Sequence, residues 1–199
     1  MIYSPLIRVE GDGSLVNELA ESTELAKDGL SLTVNLKKGI KWSDGQDFTA
    51  DDVVFTYETK AKKENGNFKS LWINDKPITV EKKDDHTVVF KFPEPSAAAA
   101  NNIATETYII PKHIYGNVSD FSVKDLQEKP VGTGPYKLVE NKRGEYIKFE
   151  ANENYYKGKP NVKNVVLRVI QSADTAKVAL QKGEIDASYV LPTDIKDLD

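Results

Sequence analysis

The chain has 199 residues, a mass of 22.2 kDa, a formal net charge of −4 at pH 7 and no cysteine. With 39% hydrophobic and 29% charged residues it is globular and long enough for a core without covalent staples, as one large domain or two small ones. The acidic balance argues against a nucleic-acid surface, zero cysteines exclude thiol nucleophiles, iron–sulfur clusters and cysteine-held zinc, and two histidines leave little for a general base.

Taken in order, Ile2 to Val9 predicts a strand closed by the turn Gly11-Asp12-Gly13. Val16 to Ala20 fits a helical turn and extended chain equally well. After the Asp28-Gly29 turn, Leu30, Leu32, Val34 and Leu36 alternate with polar residues, the pattern of a half-buried strand. Lys37-Lys38-Gly39 and Ser43-Asp44-Gly45 are further turns, with Ile40 and Trp42 apolar at period two between them.

Thr49 is an N-cap with Asp52 three residues on, so a helix is expected from about Ala50 to Lys63, with Val53, Val54 and Tyr57 on its apolar face. Asn65-Gly66-Asn67 ends it, and a loop carries Phe68, Leu71 and Trp72. A hairpin follows from Ile78 to Phe92 around Asp84-Asp85, and Ser96 caps an alanine-rich helix to about Ala104. Short helices are expected at Pro111 to Tyr115 and Asp120 to Glu128, with a boundary at Lys129-Pro130. Beyond it, Tyr136 to Val139, Tyr146 to Glu150 and Asn161 to Ile170 read as strands. Ser172 or Asp174 caps a helix from Thr175 to Lys182, which Gly183 ends. Ile185 to Val190 reads as a last strand, and Pro192-Thr193-Asp194 opens a helix. The most apolar run, Val165 to Ile170, is strand-sized and holds Arg168, far short of the ~20 residues a membrane helix needs. This is a mixed α+β pattern rich in antiparallel hairpins.

No motif supports catalysis. Gly132-Thr133-Gly134 is followed by Pro135 and a strand, whereas a phosphate loop must lead into a helix N-terminus, so it reads as a tight backbone turn. Asp51 and Asp52 are neighbours about 100° apart on a helix, placed to meet its dipole. Asp84-Asp85-His86 is turn chemistry, His113 stands alone, and there is neither a nucleophile elbow nor a glycosidase carboxylate pair. The aromatic and amide residues Phe68, Trp72, Tyr108, Tyr155, Tyr156, Tyr189, Asn101 and Asn102 are mostly packing material. Phe68 and Trp72 are binding candidates because they fall in a loop outside any periodic element.

Three segments together resemble one family. They are Leu36 to Gly45 (LKKGIKWSDG) with Phe48 to Phe55 (FTADDVVF), then Pro130 to Tyr136 (PVGTGPY), then Asn152 to Tyr156 (NENYY) with Leu180 to Asp186 (LQKGEID). In this order, from about Tyr3 to Leu191, the chain is similar to the extracellular solute-binding proteins of family 5, the oligopeptide-, dipeptide- and nickel-binding components of ATP-driven (ABC) importers.

The resemblance implies a periplasmic-binding-protein-like II (cluster C) fold, present in part. Residues 1–128 correspond to the antiparallel-rich extra domain of the class and residues 129–199 to part of the first lobe, while the opposite lobe has no counterpart. It makes Trp42, Asp44, Gly45, Thr49, Asp52, Gly132, Thr133, Gly134, Pro135, Tyr136, Gly183 and Asp186 structural family positions. Phe68, Trp72 and the stretch Ser188, Tyr189, Val190 and Leu191 are the positions that would face ligand. The implied mechanism holds an extended peptide through its backbone, with side chains in hydrated pockets, and closes two lobes over it. No cofactor, metal or nucleic acid is implied. The implied partners are a peptide and the membrane-spanning permease subunits, with the protein monomeric and tied to the membrane only by a lipid anchor outside this sequence. Its implied location is the outer face of the cell membrane as a lipoprotein, or the periplasm. A metal chelate or oligosaccharide as ligand, or a ligand-sensing domain of a transcriptional regulator, are the alternatives, although no basic recognition helix is present. With half the clamp missing, this piece is expected to fold but to bind peptide poorly.

Overall fold

The computed structural model describes residues 1–62, 69–118 and 128–189. Strands β1 (Ile7–Val9) and β2 (Leu15–Asn17) form a hairpin whose turn uses Gly13 at φ 84°. β3 (Ala20–Leu25) and β4 (Ser31–Leu36) follow, and the later strands β7 (Thr79–Asp84) and β8 (Thr87–Lys91) complete an antiparallel sheet in the order β3-β4-β8-β7. The register sets Leu32 and Val80 across from Phe90 and Val34 across from Val88, so one face is continuously apolar. All five of these side chains are buried.

Helix α1 (Ala50–Ala61) covers that face. Thr49 and Asp52 form a reciprocal capping box, the Asp51 N–H donating to Thr49 Oγ1 and the Thr49 N–H to Asp52 Oδ2. Tyr57 meets Phe90 edge-on with ring centroids 4.7 Å apart, and its hydroxyl donates to the Ile103 carbonyl at 2.6 Å. Ile103 belongs to α2 (Ala97–Glu106), and a single helical turn, α3 (Lys112–Tyr115), lies against α1. Trp42, Phe48 and Phe90, the largest of the fully buried side chains, are at most 1% exposed.

A second antiparallel sheet, in the order β11-β10-β9, is built from β9 (Tyr136–Lys142), β10 (Tyr146–Ala151) and β11 (Asn164–Arg168), with a bulge at Lys148/Phe149. Helix α4 (Ala173–Gln181) follows; Ser172 caps it through the Thr175 N–H and Gly183, at φ 68°, ends it.

Several expectations change. Only Ile7–Val9 of the stretch from Ile2 is a strand, because the carbonyls before it serve separate segments: Ile2 O accepts from Gly134 N and Ser4 O from Ile109 N. Val16 to Ala20 is extended, and Leu30 precedes its strand and is exposed. Trp72 lies in a two-residue hairpin, β5 (Trp72–Ile73) with β6 (Lys76–Pro77), whose turn residues Asn74 and Asp75 both take positive φ, as their short polar side chains permit. Residues 185–189 pair with no strand among the described residues, so alternation alone did not make them one. The segments expected to be helical at 120–127 and 192–194 lie outside the described residues.

Candidate functional site

Most of the residues singled out as structural positions converge on two knots; Gly183 and Asp186 lie apart, at and beyond the end of α4. The first surrounds the buried Asp52 carboxylate. Its Oδ2 accepts from Trp42 Nε1 at 3.3 Å and from the Thr49 N–H at 3.0 Å, and its Oδ1 accepts from the Lys112 N–H at 2.8 Å. Burial pushes its carboxyl above the usual range, and the three donors offset part of that. His113 Nε2 lies 2.7 Å from Asp44 Oδ2 and its ring meets Trp42 edge-on, so this histidine fastens the Ser43-Asp44-Gly45 turn to α3. Gly45, at φ 92°, lets that turn close.

The second knot is Gly132-Thr133-Gly134-Pro135. Ser43 N–H donates to Gly132 O at 2.9 Å, Gly134 N–H to Ile2 O at 2.7 Å, and Tyr136 N–H to Met1 O at 3.2 Å. A Cβ at Gly132 would sit 2.0 Å from Ile2 O, and one at Gly134 would sit 2.3 Å from Met1 O, so only glycine admits the crossing chain. Asn152, 1% exposed, holds the far side by donating to Gly134 O at 2.8 Å, and Asn154 reaches the Trp42 carbonyl at 3.3 Å. The glycine amides are committed to protein oxygens, Gly132 N–H to Ser43 Oγ and Gly134 N–H to Ile2 O, which leaves no cradle for an anion.

Glu18 is a buried charged group that no motif in the sequence marks. Its side chain is 6% exposed and accepts from Arg8 Nε at 2.8 Å, from Lys157 Nζ at 2.6 Å and from the Tyr156 hydroxyl. Burial works to raise its pKa, but these three donors outweigh it and hold the carboxyl below its ordinary range. The only signal in the sequence was one acid set among Val16, Leu19 and Ala20. The first knot ties α1 and its neighbouring turns together, while the second knot and the Glu18 cluster fasten that part of the chain to the β9–β10–β11 sheet and its loops.

The residues expected to face ligand are distributed differently. Phe68, Val190 and Leu191 lie outside the described residues. Trp72 is half-buried against the core and donates its indole N–H to the Ala61 carbonyl, the last residue of α1, at 3.0 Å. Ser188 and Tyr189 are exposed, and Ser188 Oγ donates to the Tyr189 carbonyl at 3.3 Å. Asp186 is exposed in the same unpaired stretch. Two open grooves, of about 570 Å³ beside Lys37, Lys38 and His86 and about 480 Å³ beside Asp47, Asp51 and Lys112, include none of Trp72, Ser188 and Tyr189. Among the described residues no three His, Asp or Glu side chains are grouped to hold a metal ion, and no helix is long and apolar enough to cross a membrane.

A sequence profile of the bacterial extracellular solute-binding proteins, family 5 Middle, matches residues 14–199. The chain belongs to that family. Among family 5 relatives, the oligopeptide-binding protein AppA of Bacillus subtilis (strain 168) is 41% identical across 98% of this chain and 36% of its own length. The crystal structure of the ABC transporter substrate-binding protein CtaP from Listeria monocytogenes superposes with a TM-score of 0.92 at 39% identity, covering 99% of this chain and 40% of that one. The structure of Bacillus subtilis AppA in complex with a nonapeptide gives a TM-score of 0.87 at 39% identity, over 100% of this chain and 40% of that one. The mixed helix and strand fold is thus the family 5, periplasmic-binding-protein-like fold. The chain spans well under half the length of these relatives.

Proposed function

We propose that this chain forms part of the substrate-binding subunit of an ABC importer that captures extended oligopeptides and delivers them to the membrane permease. The observation that carries the reading is the match of the entire chain to AppA, a protein whose structure holds a nonapeptide. In this reading residues 1–128 are the extra domain and residues 129–199 part of the first lobe. Phe68, Trp72, Ser188, Tyr189, Val190 and Leu191 are its ligand-facing positions. Peptide would be held strand-like through its backbone, with affinity spread over many weak contacts. The partner is the pair of membrane-spanning permease subunits, the protein works on the outer face of the membrane, anchored by lipid, or in the periplasm, and it catalyses no reaction.

The two knots suit such a role, because a clamp transmits closure only if each half moves as a rigid piece. Calorimetric titration with a mixed nonapeptide library tests the reading. The longer family protein should bind peptides at micromolar affinity or better and this chain alone at least about tenfold more weakly. Failure of the longer protein to bind any peptide, with binding of a metal chelate or sugar instead, would overturn the oligopeptide assignment.

A further inference from the structure

The chain crosses twice between the part built on the four-stranded sheet and the part built on the β9–β10–β11 sheet, and the two crossings lie side by side. Met1 O and Ile2 O accept from the Tyr136 and Gly134 N–H groups of the second part, whereas Ser4 O accepts from the Ile109 N–H of the first. The first crossing is therefore at Tyr3. The second, ahead of Gly132, returns against it, since a Cβ on Gly132 would sit 2.0 Å from Ile2 O. Two adjacent lengths of backbone make a hinge, a few residues whose dihedral angles absorb a rotation of one part against the other. The bonds of Ser43 to Gly132 and of Asn152 to Gly134 are made at the crossing itself, where they have little leverage against such a rotation.

Leverage comes further out, in the loop between β10 and β11, whose Tyr156 and Lys157 reach Glu18. Glu18 is fixed in the first part, its own N–H donating to Leu6 O at 3.0 Å. Of the three donors to its carboxylate, Arg8 Nε comes from the first part, and the Tyr156 hydroxyl and Lys157 Nζ from the second. Lys37, also of the first part, lies over the Tyr156 ring with its Nζ 5.7 Å from the centroid. The Glu18 side chain is 6% exposed, so water screens these bonds little. Charged hydrogen bonds have fixed directions, and they set an angle that apolar contact would let slide.

We propose that Glu18 is a positioning residue, a lock that holds the β9–β10–β11 sheet at one angle to the four-stranded sheet across the Ile2–Gly132 hinge. Under the oligopeptide reading, on which only this consequence rests, the lock sets Trp72 in the first part against Ser188 and Tyr189 in the second.

The chain has no cysteine, so Lys83→Cys on β7 and Arg143→Cys in the β9–β10 turn take one nitroxide label each, and double electron–electron resonance reads the distance between the two sheets. With Glu18 intact, a single narrow distance distribution is expected. Glu18→Gln should widen it at least about twofold, and so should Lys157→Met, a milder change at a partly exposed position that keeps the test open if Glu18→Gln does not fold. Lys157→Arg keeps the charge and should keep the distribution narrow. Unchanged widths in Glu18→Gln and Lys157→Met overturn the proposal, because the two knots would then set the angle by themselves. Equal widening by Lys157→Arg and Lys157→Met overturns it as well. No peptide enters the measurement, so its outcome is independent of the oligopeptide reading.

Discussion

Gly132 lies directly against Ile2, so close that a Cβ at position 132 would meet the Ile2 carbonyl oxygen at 2.0 Å. The start of the chain passes through the space a side chain would need, and the Gly134 N–H takes the same oxygen as its acceptor. The contact is backbone against backbone, so neither side can swing away as a flexible side chain would. Gly132→Ala should cost about 3 kcal/mol of stability, the upper end for overpacking, measured by urea unfolding. A loss below about 1 kcal/mol would show that the first residues are held elsewhere.

Asp52 joins three segments through Trp42, Thr49 and Lys112. Asp52→Ala strands an indole N–H and two backbone amides in a buried place, and should destabilise by about 3 kcal/mol or more. Thr49→Ala removes only the cap acceptor and should cost about 1 kcal/mol. Equal losses in the two variants would mean that Asp52 acts solely as the partner in the capping box.

Glu18 gives the protein an acid-sensitive fastening. Its carboxyl sits below the ordinary glutamate range in the folded chain, so the unfolded chain binds more protons as pH falls. The stability it contributes is therefore complete above the unfolded glutamate pKa and lost as pH falls through that value towards the lower folded one. Glu18→Gln should cost about 1–2 kcal/mol at pH 7, a figure kept modest because Arg8 and Lys157 are partly exposed, and should flatten the acid side of a melting-temperature profile. An unchanged acid slope would assign the pH response to other carboxylates.

Trp72, in the short strand β5, has a structural duty that its place outside any long periodic element does not announce. Its indole closes the end of α1 by donating to the Ala61 carbonyl. Trp72→Phe keeps most of the apolar contact and should cost about 1 kcal/mol, whereas Trp72→Ala should cost about 3 kcal/mol. Calorimetry of both variants measures this, and peptide titration of the same substitutions in the longer family protein reads any ligand role separately. Equal melting temperatures for wild type and Trp72→Ala would remove the structural duty.

By itself the sequence determined whatever depends on local rules. The β4 and β8 strands, the Thr49–Asp52 capping box, the glycine turns at 39, 45 and 183 and the α4 cap follow from period-two alternation, cap chemistry and positive φ, each acting over a few residues. Even the family was legible, in motifs that mark turns and helix starts. Tertiary structure alone decided the long-range joins. Nothing near Glu18 in sequence announces Lys157, and Gly132 is glycine because Ile2 crosses it, a constraint from the far end of the chain. It also decided that residues 185–189 pair with no strand among the described residues, since a strand is a relation between two segments and one segment cannot supply it.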